Sequence, residues 1–278
     1  MDKRANSKDM FRRMVSAITI DESAGEIDSM VYLVLHSLFG ARREHIMANK
    51  ELTYDEQTLD EIIKRINSHE PVQYILQEAE FCGRLFFVDR NVLIPRPETE
   101  LLVNEVIRYA GSRRARILDV GTGSGCIAIT LACELPEATV IATDVSAGAI
   151  EVAHRNSLTF NADVEFHLCD VLVDELPAAD VIVSNPPYVT RGEMASMAEN
   201  VVSYEPHGAL FVEDDDPLLF YRAIVGKAKG AGAVFVEINE RYGKEVKALF
   251  VEAGFDVEIV KDVDGKERIV RSVTMNER

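Results

Sequence analysis

From residue 116 onward the chain alternates short apolar, β-rich runs with stretches of helical periodicity, and that alternation leaves few architectures open. Residues 116–120, 139–143, 164–168, 180–184 and 232–238 read as strands, with helical chain between them. Such alternation builds a parallel sheet with helices on both faces. A helix over 242–253 then leads to strands at 255–260 and 268–273, which are separated only by a few residues around Asp264-Gly265. So short a gap permits a hairpin and not a parallel crossover, so the last strand must run antiparallel. The expected fold class is therefore α/β: a Rossmann-like sheet of seven strands whose last strand is antiparallel. An ordinary dinucleotide-binding fold lacks that final hairpin.

The first 75 residues have a different texture. Phe11, Met14, Val15 and Ile18 form one helical stripe, and Val31, Val34, Leu35 and Leu38 form another, ended by Gly40 as a C′ residue. A third helix is expected to begin at Thr53, with Glu56 completing a capping box, and to run through Leu59, Ile62, Ile63 and Ile66. This small helical unit reads either as a self-contained bundle or as a substrate-docking module, and periodicity alone does not separate the two. Between the units, Phe81, Leu85, Phe86, Phe87 and Val88 precede Asp89-Arg90-Asn91 and then Val92, Leu93 and Ile94, which reads as a hairpin linker. The expected division is a helical domain over 1–80, a linker over 81–95 and an α/β domain over 96–278. A length of 278 residues accommodates two cores at roughly 150 residues per domain.

Charge narrows the partners. Lys and Arg number 30 against 47 Asp and Glu, a formal charge of −17, and both the first 80 residues and the remainder are acidic. Such a field repels polyanions, so direct nucleic-acid binding is not expected. The acidic run 213–216 reads as a solvated loop. The four cysteines, Cys82, Cys126, Cys133 and Cys169, form no Cys-x-x-Cys pair and have no histidine at ligand spacing. They read as small buried hydrophobes in a reducing cytoplasm, with no metal expected. The apolar run 30–35 is too short to span a bilayer, and the polar residues after Met1-Asp2-Lys3-Arg4 do not read as an export signal. A cytoplasmic protein is expected, and a monomer.

Four strand ends carry candidate chemistry. At the first, Asp119-Val120-Gly121-Thr122-Gly123-Ser124-Gly125 opens a helix. Glycines there permit positive φ and bring a ligand against bare backbone, while Asp119 can reach a cationic amino group directly or through water. The spacing suits a nucleoside cofactor better than a pyrophosphate, because position 126 is Cys where a dinucleotide loop carries Gly or Ala. At the second, Asp144 can accept from both ribose hydroxyls, leaving Ser146 to cap the following helix. After the third expected strand, Asp170 can accept from an adenine amino group, with Val171 packing on the ring.

The most specific string is Ser184-Asn185-Pro186-Pro187-Tyr188, directly after the fourth strand. Two prolines stop the strand and stiffen the loop, since each has a fixed φ and no amide donor. The Asn185 side-chain oxygen and the Pro186 carbonyl can together accept both hydrogens of a planar NH2 group, aiming its nitrogen at a neighbouring electrophile. Tyr188 can pack on a flat substrate.

These residues resemble the class I S-adenosylmethionine-dependent methyltransferases that modify NH2 nitrogens. Leu93-Ile94-Pro95-Arg96-Pro97-Glu98-Thr99-Glu100, Glu70-Pro71-Val72-Gln73-Tyr74-Ile75, Tyr204-Glu205-Pro206 and Gly265-Lys266-Glu267-Arg268 narrow the resemblance to the HemK/PrmC family, the peptide chain release factor glutamine N5-methyltransferases. It covers nearly the whole chain, although Gln77 and Cys82 stand where such proteins commonly carry Gly and an aromatic residue. The resemblance implies S-adenosylmethionine as cofactor and, as substrate, the glutamine of the Gly-Gly-Gln motif of release factors. By the family's pattern Gly121 to Gly125, Asp144, Val171 and Asn185 contact the cofactor, and Asn185 to Tyr188 hold the glutamine.

An N6-adenine methyltransferase acting on nucleic acid is the nearest alternative, because an exocyclic adenine amine is also a planar NH2. It should carry a basic face for phosphates, and no basic cluster is visible in the sequence. A non-catalytic cofactor-binding module conflicts with the intact 185–188 string. A nicotinamide-dependent oxidoreductase conflicts with Cys126 and the final hairpin.

Overall fold

The computed structural model describes residues 2–274 and resolves into two compact units. The first runs through Gln77 and includes Ala198–Tyr204; the second comprises Glu78–Met197 and the chain from Glu205 onward.

In the first unit, the two apolar stripes lie on helices Ser7–Ala17 and Ala24–Phe39. Ser23 caps the second by accepting from the Glu26 amide at 3.2 Å. Gly40 ends it at φ 58°, the left-handed geometry glycine adopts most cheaply. Met10, Met14, Val31, Val34, Leu35 and Leu59 are buried together, whereas Leu38 is left partly exposed. The third helix starts later than its sequence suggests. It spans Glu56–Asn67, capped by Asp55, whose carboxylate accepts from the Thr58 amide at 3.0 Å. Thr53 instead sits in a strand, Glu51–Asp55, which pairs antiparallel with Asp2–Asn6 and places Thr53 opposite Arg4.

The second unit opens with a hairpin, Glu78–Phe81 against Arg84–Phe87. Its turn is Cys82-Gly83, both at positive φ, and not Asp89-Arg90-Asn91 as the apolar pattern suggested. Gln77, at the end of the preceding short helix, also holds φ 58°, which explains why glycine suits that position. Among the described residues the central sheet has seven strands: β1 (Arg116–Val120), β2 (Thr139–Asp144), β3 (Val164–Leu168), β4 (Val181–Ser184), β5 (Ala233–Glu237), β6 (Phe255–Lys261) and β7 (Glu267–Thr274). Their spatial order is β6-β7-β5-β4-β1-β2-β3. β7 lies antiparallel between β5 and β6, and β1 to β5 are parallel.

Pleating divides the apolar strand residues between two cores. Ile117, Val181, Val183 and Phe235 pack on one face with helices α1 (Thr99–Ala110) and α2 (Cys126–Glu134). Leu118, Ile182, Val234 and Val236 pack on the other with α4 (Leu219–Lys227) and α5 (Gly243–Glu252); α3 (Ala147–Phe160) follows β2. Strand order reverses direction between β1 and β4, the position at which the carboxyl ends of such sheets leave a crevice for ligands. Among the described residues no helix is long and apolar enough to cross a membrane.

Candidate active site

A cavity of about 220 Å³ opens at the carboxyl ends of β1 to β4. Eight of the residues singled out by sequence line it: Gly121, Gly123, Asp144, Asp170, Val171, Asn185, Pro186 and Pro187. Asp119, Thr122, Ser124, Gly125 and Tyr188 do not.

The Gly-rich loop explains this division. Gly121 and Thr122 donate to the Thr143 carbonyl at 2.8 and 2.9 Å, tying the loop to β2. Gly121 and Gly123 hold φ of 76° and 54°, and a methyl group added to either would meet no protein atom within 4 Å, so the cavity meets bare backbone there. Gly125 has another task. A Cβ at that position would come within 2.8 Å of Ile129 and 3.1 Å of Ala153, so its absence lets α2 pack closely on α3.

Asp119 is fully buried: its Oδ2 accepts from the Thr122 hydroxyl at 2.6 Å and the Ala128 amide at 3.2 Å. It therefore braces the loop, while its Oδ1 has no hydrogen-bond partner among the described residues. Burial pushes its carboxyl up to about 7; the two hydrogen bonds oppose that rise, and the Asp144 charge adds to it.

Asp144, by contrast, reaches the cavity. Oδ2 accepts from the Gly123 amide and Oδ1 from the Ser146 amide, each at 2.9 Å, which fixes the carboxylate and leaves lone pairs on both oxygens. Burial raises its carboxyl above the usual Asp range, and these amides act against the rise. Ser146 caps α3 by accepting from the Ala149 amide. Asp170 is held by the Leu172 amide at 2.9 Å beside the apolar wall of Val145 and Val171. A carboxylate with spare lone pairs, an open glycine backbone and apolar walls together fit a nucleoside cofactor carrying positive charge.

At the end of β4, the Asn185 NH2 donates to Thr99 Oγ1 at 3.0 Å. No described group donates to Asn185 Oδ1 or to the Pro186 carbonyl. Tyr188, expected to pack on the substrate, is turned instead to the end of β5, where its hydroxyl donates to Glu237 Oε1 at 2.9 Å. Burial and the Glu237 charge raise the Tyr188 hydroxyl well above its ordinary value.

Several residues here had no assigned role at the level of single motifs. Leu93 and Pro206 line the cavity, and the buried Glu205 links their segments, accepting from the Ile94 amide at 3.2 Å and from Arg96 at 2.6 Å. Thr99 and Glu237 support Asn185 and Tyr188 from behind. Arg96, Thr99 and Glu205 belong to strings that stood out in the sequence; Glu237 is signalled only as a carboxylate ending an otherwise apolar strand. Of the cysteines only Cys126 is buried; the other three are half-buried and free. Among the described residues no group of His, Cys, Asp and Glu is arranged to hold a metal ion.

A seven-strand sheet with an inserted antiparallel β7, and a cofactor crevice between a Gly-rich loop and an acidic second strand end, define a class I S-adenosylmethionine-dependent methyltransferase. A methyltransferase from Pyrococcus furiosus shares the fold, at a TM-score of 0.51 and 18% identity over 76% of this chain and 95% of that one. Residues 97–208 match the family model of the methyltransferase small domain. The release factor glutamine methyltransferase of Flavobacterium psychrophilum is 39% identical, covering 96% of this chain and 97% of its own length. That of Bacteroides thetaiotaomicron is 41% identical, covering 88% and 92%. The chain belongs to the release factor glutamine methyltransferase family.

Proposed function

We propose that this protein transfers a methyl group from S-adenosylmethionine to the side-chain amide nitrogen, N5, of the glutamine in the Gly-Gly-Gln motif of peptide chain release factors. The observation that carries the reading is the Asn185 amide. Its NH2 is committed to Thr99, which leaves Oδ1 as the unengaged acceptor, next to the unengaged carbonyl of Pro186 in the cavity wall.

Asp144 would hold the ribose hydroxyls with the lone pairs that Gly123 and Ser146 do not use. Asp170 would accept from the adenine amino group, and Val171 would pack on the ring. Bound there, the cofactor supplies a methyl group on a cationic sulfur. An amide nitrogen is a poor nucleophile because its lone pair is delocalised into the carbonyl, so the protein's contribution is positional. Asn185 Oδ1 and the Pro186 carbonyl each accept one N–H, which fixes the plane and direction of the carboxamide. Positive charge developing on the nitrogen then faces two preorganised carbonyl dipoles. Pro186 and Pro187 keep that pair of acceptors stiff, because their φ angles are locked. The proton leaves afterwards to water.

A net charge of −17 suits a basic or flexible protein segment better than a phosphate backbone, and the helical unit is the second surface for such a partner. Mass spectrometry of a release factor incubated with this protein and S-adenosylmethionine tests the reading. A single added methyl on the Gly-Gly-Gln side chain is expected. Methylation of DNA or RNA with the factor left unmodified would reject it.

A further inference from the structure

The second unit contains a buried polar chain that the proposed chemistry leaves unused. Asn185 Nδ2 donates to Thr99 Oγ1 at 3.0 Å, Thr99 Oγ1 donates to Glu237 Oε2 at 2.7 Å, and the Tyr188 hydroxyl donates to Glu237 Oε1 at 2.9 Å. Thr99 and Glu237 are each 2% exposed, so water does not substitute for a missing partner. The participants come from the first residue of α1, the loop after β4 and the last residue of β5.

The chain has a direction. A hydroxyl has a single proton to donate, and in this geometry both carboxyl oxygens of Glu237 act as acceptors. Both oxygens of Glu237 receive a hydroxyl, so the Thr99 proton is spent on Glu237 and the Thr99 oxygen is left solely as an acceptor. Only the NH2 end of the Asn185 amide satisfies that acceptor. The opposite amide rotamer would set the Asn185 oxygen against the Thr99 oxygen, with no proton between them, and would point NH2 into the cavity.

We infer that Thr99 and Glu237 are positioning residues for methyl transfer: the buried carboxylate, acting through the threonine hydroxyl, dictates which end of the Asn185 amide faces the substrate. The inference rests on the proposed role of Asn185 Oδ1 as an acceptor for the glutamine N–H. It gives the Pro97-Glu98-Thr99-Glu100 string a task within the active site, and it accounts for a glutamate at the end of a wholly buried strand. Burial raises the Glu237 carboxyl, and the hydrogen bonds from Thr99 and Tyr188 oppose that rise. The nearby Glu98 charge raises it further and Arg268 lowers it.

Glu237→Gln is the informative change, because it keeps size and supplies a donor where only acceptors stood. With Tyr188 donating to the new carboxamide oxygen, its NH2 donates to Thr99, and the Thr99 proton becomes free to bond Asn185 Oδ1. The polarity of the chain is then reversed with nearly all atoms in place.

The test measures kcat and KM for release-factor methylation in Asn185→Ala, Thr99→Val, Thr99→Ser, Glu237→Gln and the Asn185→Ala/Thr99→Val pair, with thermal unfolding of each. Thr99→Val and Glu237→Gln are expected to lower kcat on the order of 10- to 100-fold, the scale of a misplaced reacting group. Thr99→Ser should recover most of the loss in Thr99→Val. Adding Thr99→Val to Asn185→Ala should lower kcat no further, since a positioning residue has nothing left to position. If Asn185→Ala collapses turnover while Thr99→Val and Glu237→Gln stay within about twofold of wild type, against the misplacement scale above, the inference is overturned and the proposed role of Asn185 stands. Additive losses in the double variant would also overturn it, because they are the mark of general structural damage. Near-normal turnover in Asn185→Ala overturns both readings together.

Discussion

The two units differ most in what they bury. Among the described residues, the first has one wholly buried polar residue, Ser7, beneath a core of Met, Leu, Ile and Val. Two of its half-buried carboxylates are paired with cations, Glu56 with Arg13 at 2.6 Å and Lys3 at 3.1 Å and Glu70 with Arg65 at 2.7 Å. The second unit buries Glu105, Asp119, Glu205 and Glu237, all at 4% exposure or less. Removing a carboxylate from water is unfavourable unless its oxygens are satisfied, so such groups are kept where they organise something else. Asp119 braces the Gly-rich loop, Glu205 ties together two segments of the cavity wall, and Glu237 stands behind Asn185. Glu105 serves an ion pair with Arg108 and Arg271. The first unit is held by apolar burial; the second sacrifices some stability to position polar atoms.

The apolar side of this contrast makes the largest prediction. Leu35 is wholly buried, and Leu35→Ala should cost about 2 to 5 kcal/mol of stability, with S-adenosylmethionine affinity unchanged at temperatures where the protein remains folded. Denaturant unfolding paired with calorimetric binding checks both parts; a cost below about 1 kcal/mol would show that this core does not hold the unit.

The polar side makes a pH prediction. The Asp119 carboxyl is raised from 3.8 to about 7, so between those values the folded state holds a proton that the unfolded state has released. Stability contributed by this site is therefore greatest below about pH 4 and falls as pH rises towards 7. The loss is roughly 4 kcal/mol, at about 1.4 kcal/mol per pH unit. Asp119→Asn removes the titration. A pH series of unfolding experiments should thus show the wild type losing ground to the variant as pH increases, and parallel curves would mean that Asp119 stays ionised in the fold.

The smallest effect concerns binding. Asp144→Ala removes a partly exposed carboxylate that would otherwise hold a ribose. Cofactor affinity should fall by about 1.5 to 3 kcal/mol, the usual range for hydrogen bonds to a charged group. Calorimetry that finds affinity unchanged would reject the ribose assignment.

What the sequence made legible follows the same division between local and distant causes. The alternating strands, the final hairpin, Gly40 and the Ser146 cap all depend on neighbours within a few residues. Thr53 lies in a strand that its own neighbourhood does not signal, because that strand is defined by Asp2–Asn6, a partner nearly fifty residues away with no apolar alternation of its own. The hairpin of the second unit was displaced because its turn uses Cys82 at φ 49°, a residue type that carries no turn signal. In the site, cavity-lining residues are legible where they share one string, as Asn185 to Pro187 do. The strings that hold Gly125 and Tyr188 point to a ligand, while helix packing and Glu237 claim these two residues in the fold. Thr99 and Glu237 are 138 positions apart, and only sheet assembly brings them into contact.

The central claim is that Asn185 Oδ1 and the Pro186 carbonyl together grip a glutamine carboxamide. A crystal structure of the protein with S-adenosylhomocysteine and a Gly-Gly-Gln peptide measures this directly. The carboxamide nitrogen should lie within hydrogen-bond distance of both oxygens, with the Asn185 NH2 still on Thr99. A glutamine bound elsewhere, or one met by the Asn185 NH2 instead of its oxygen, would contradict the account.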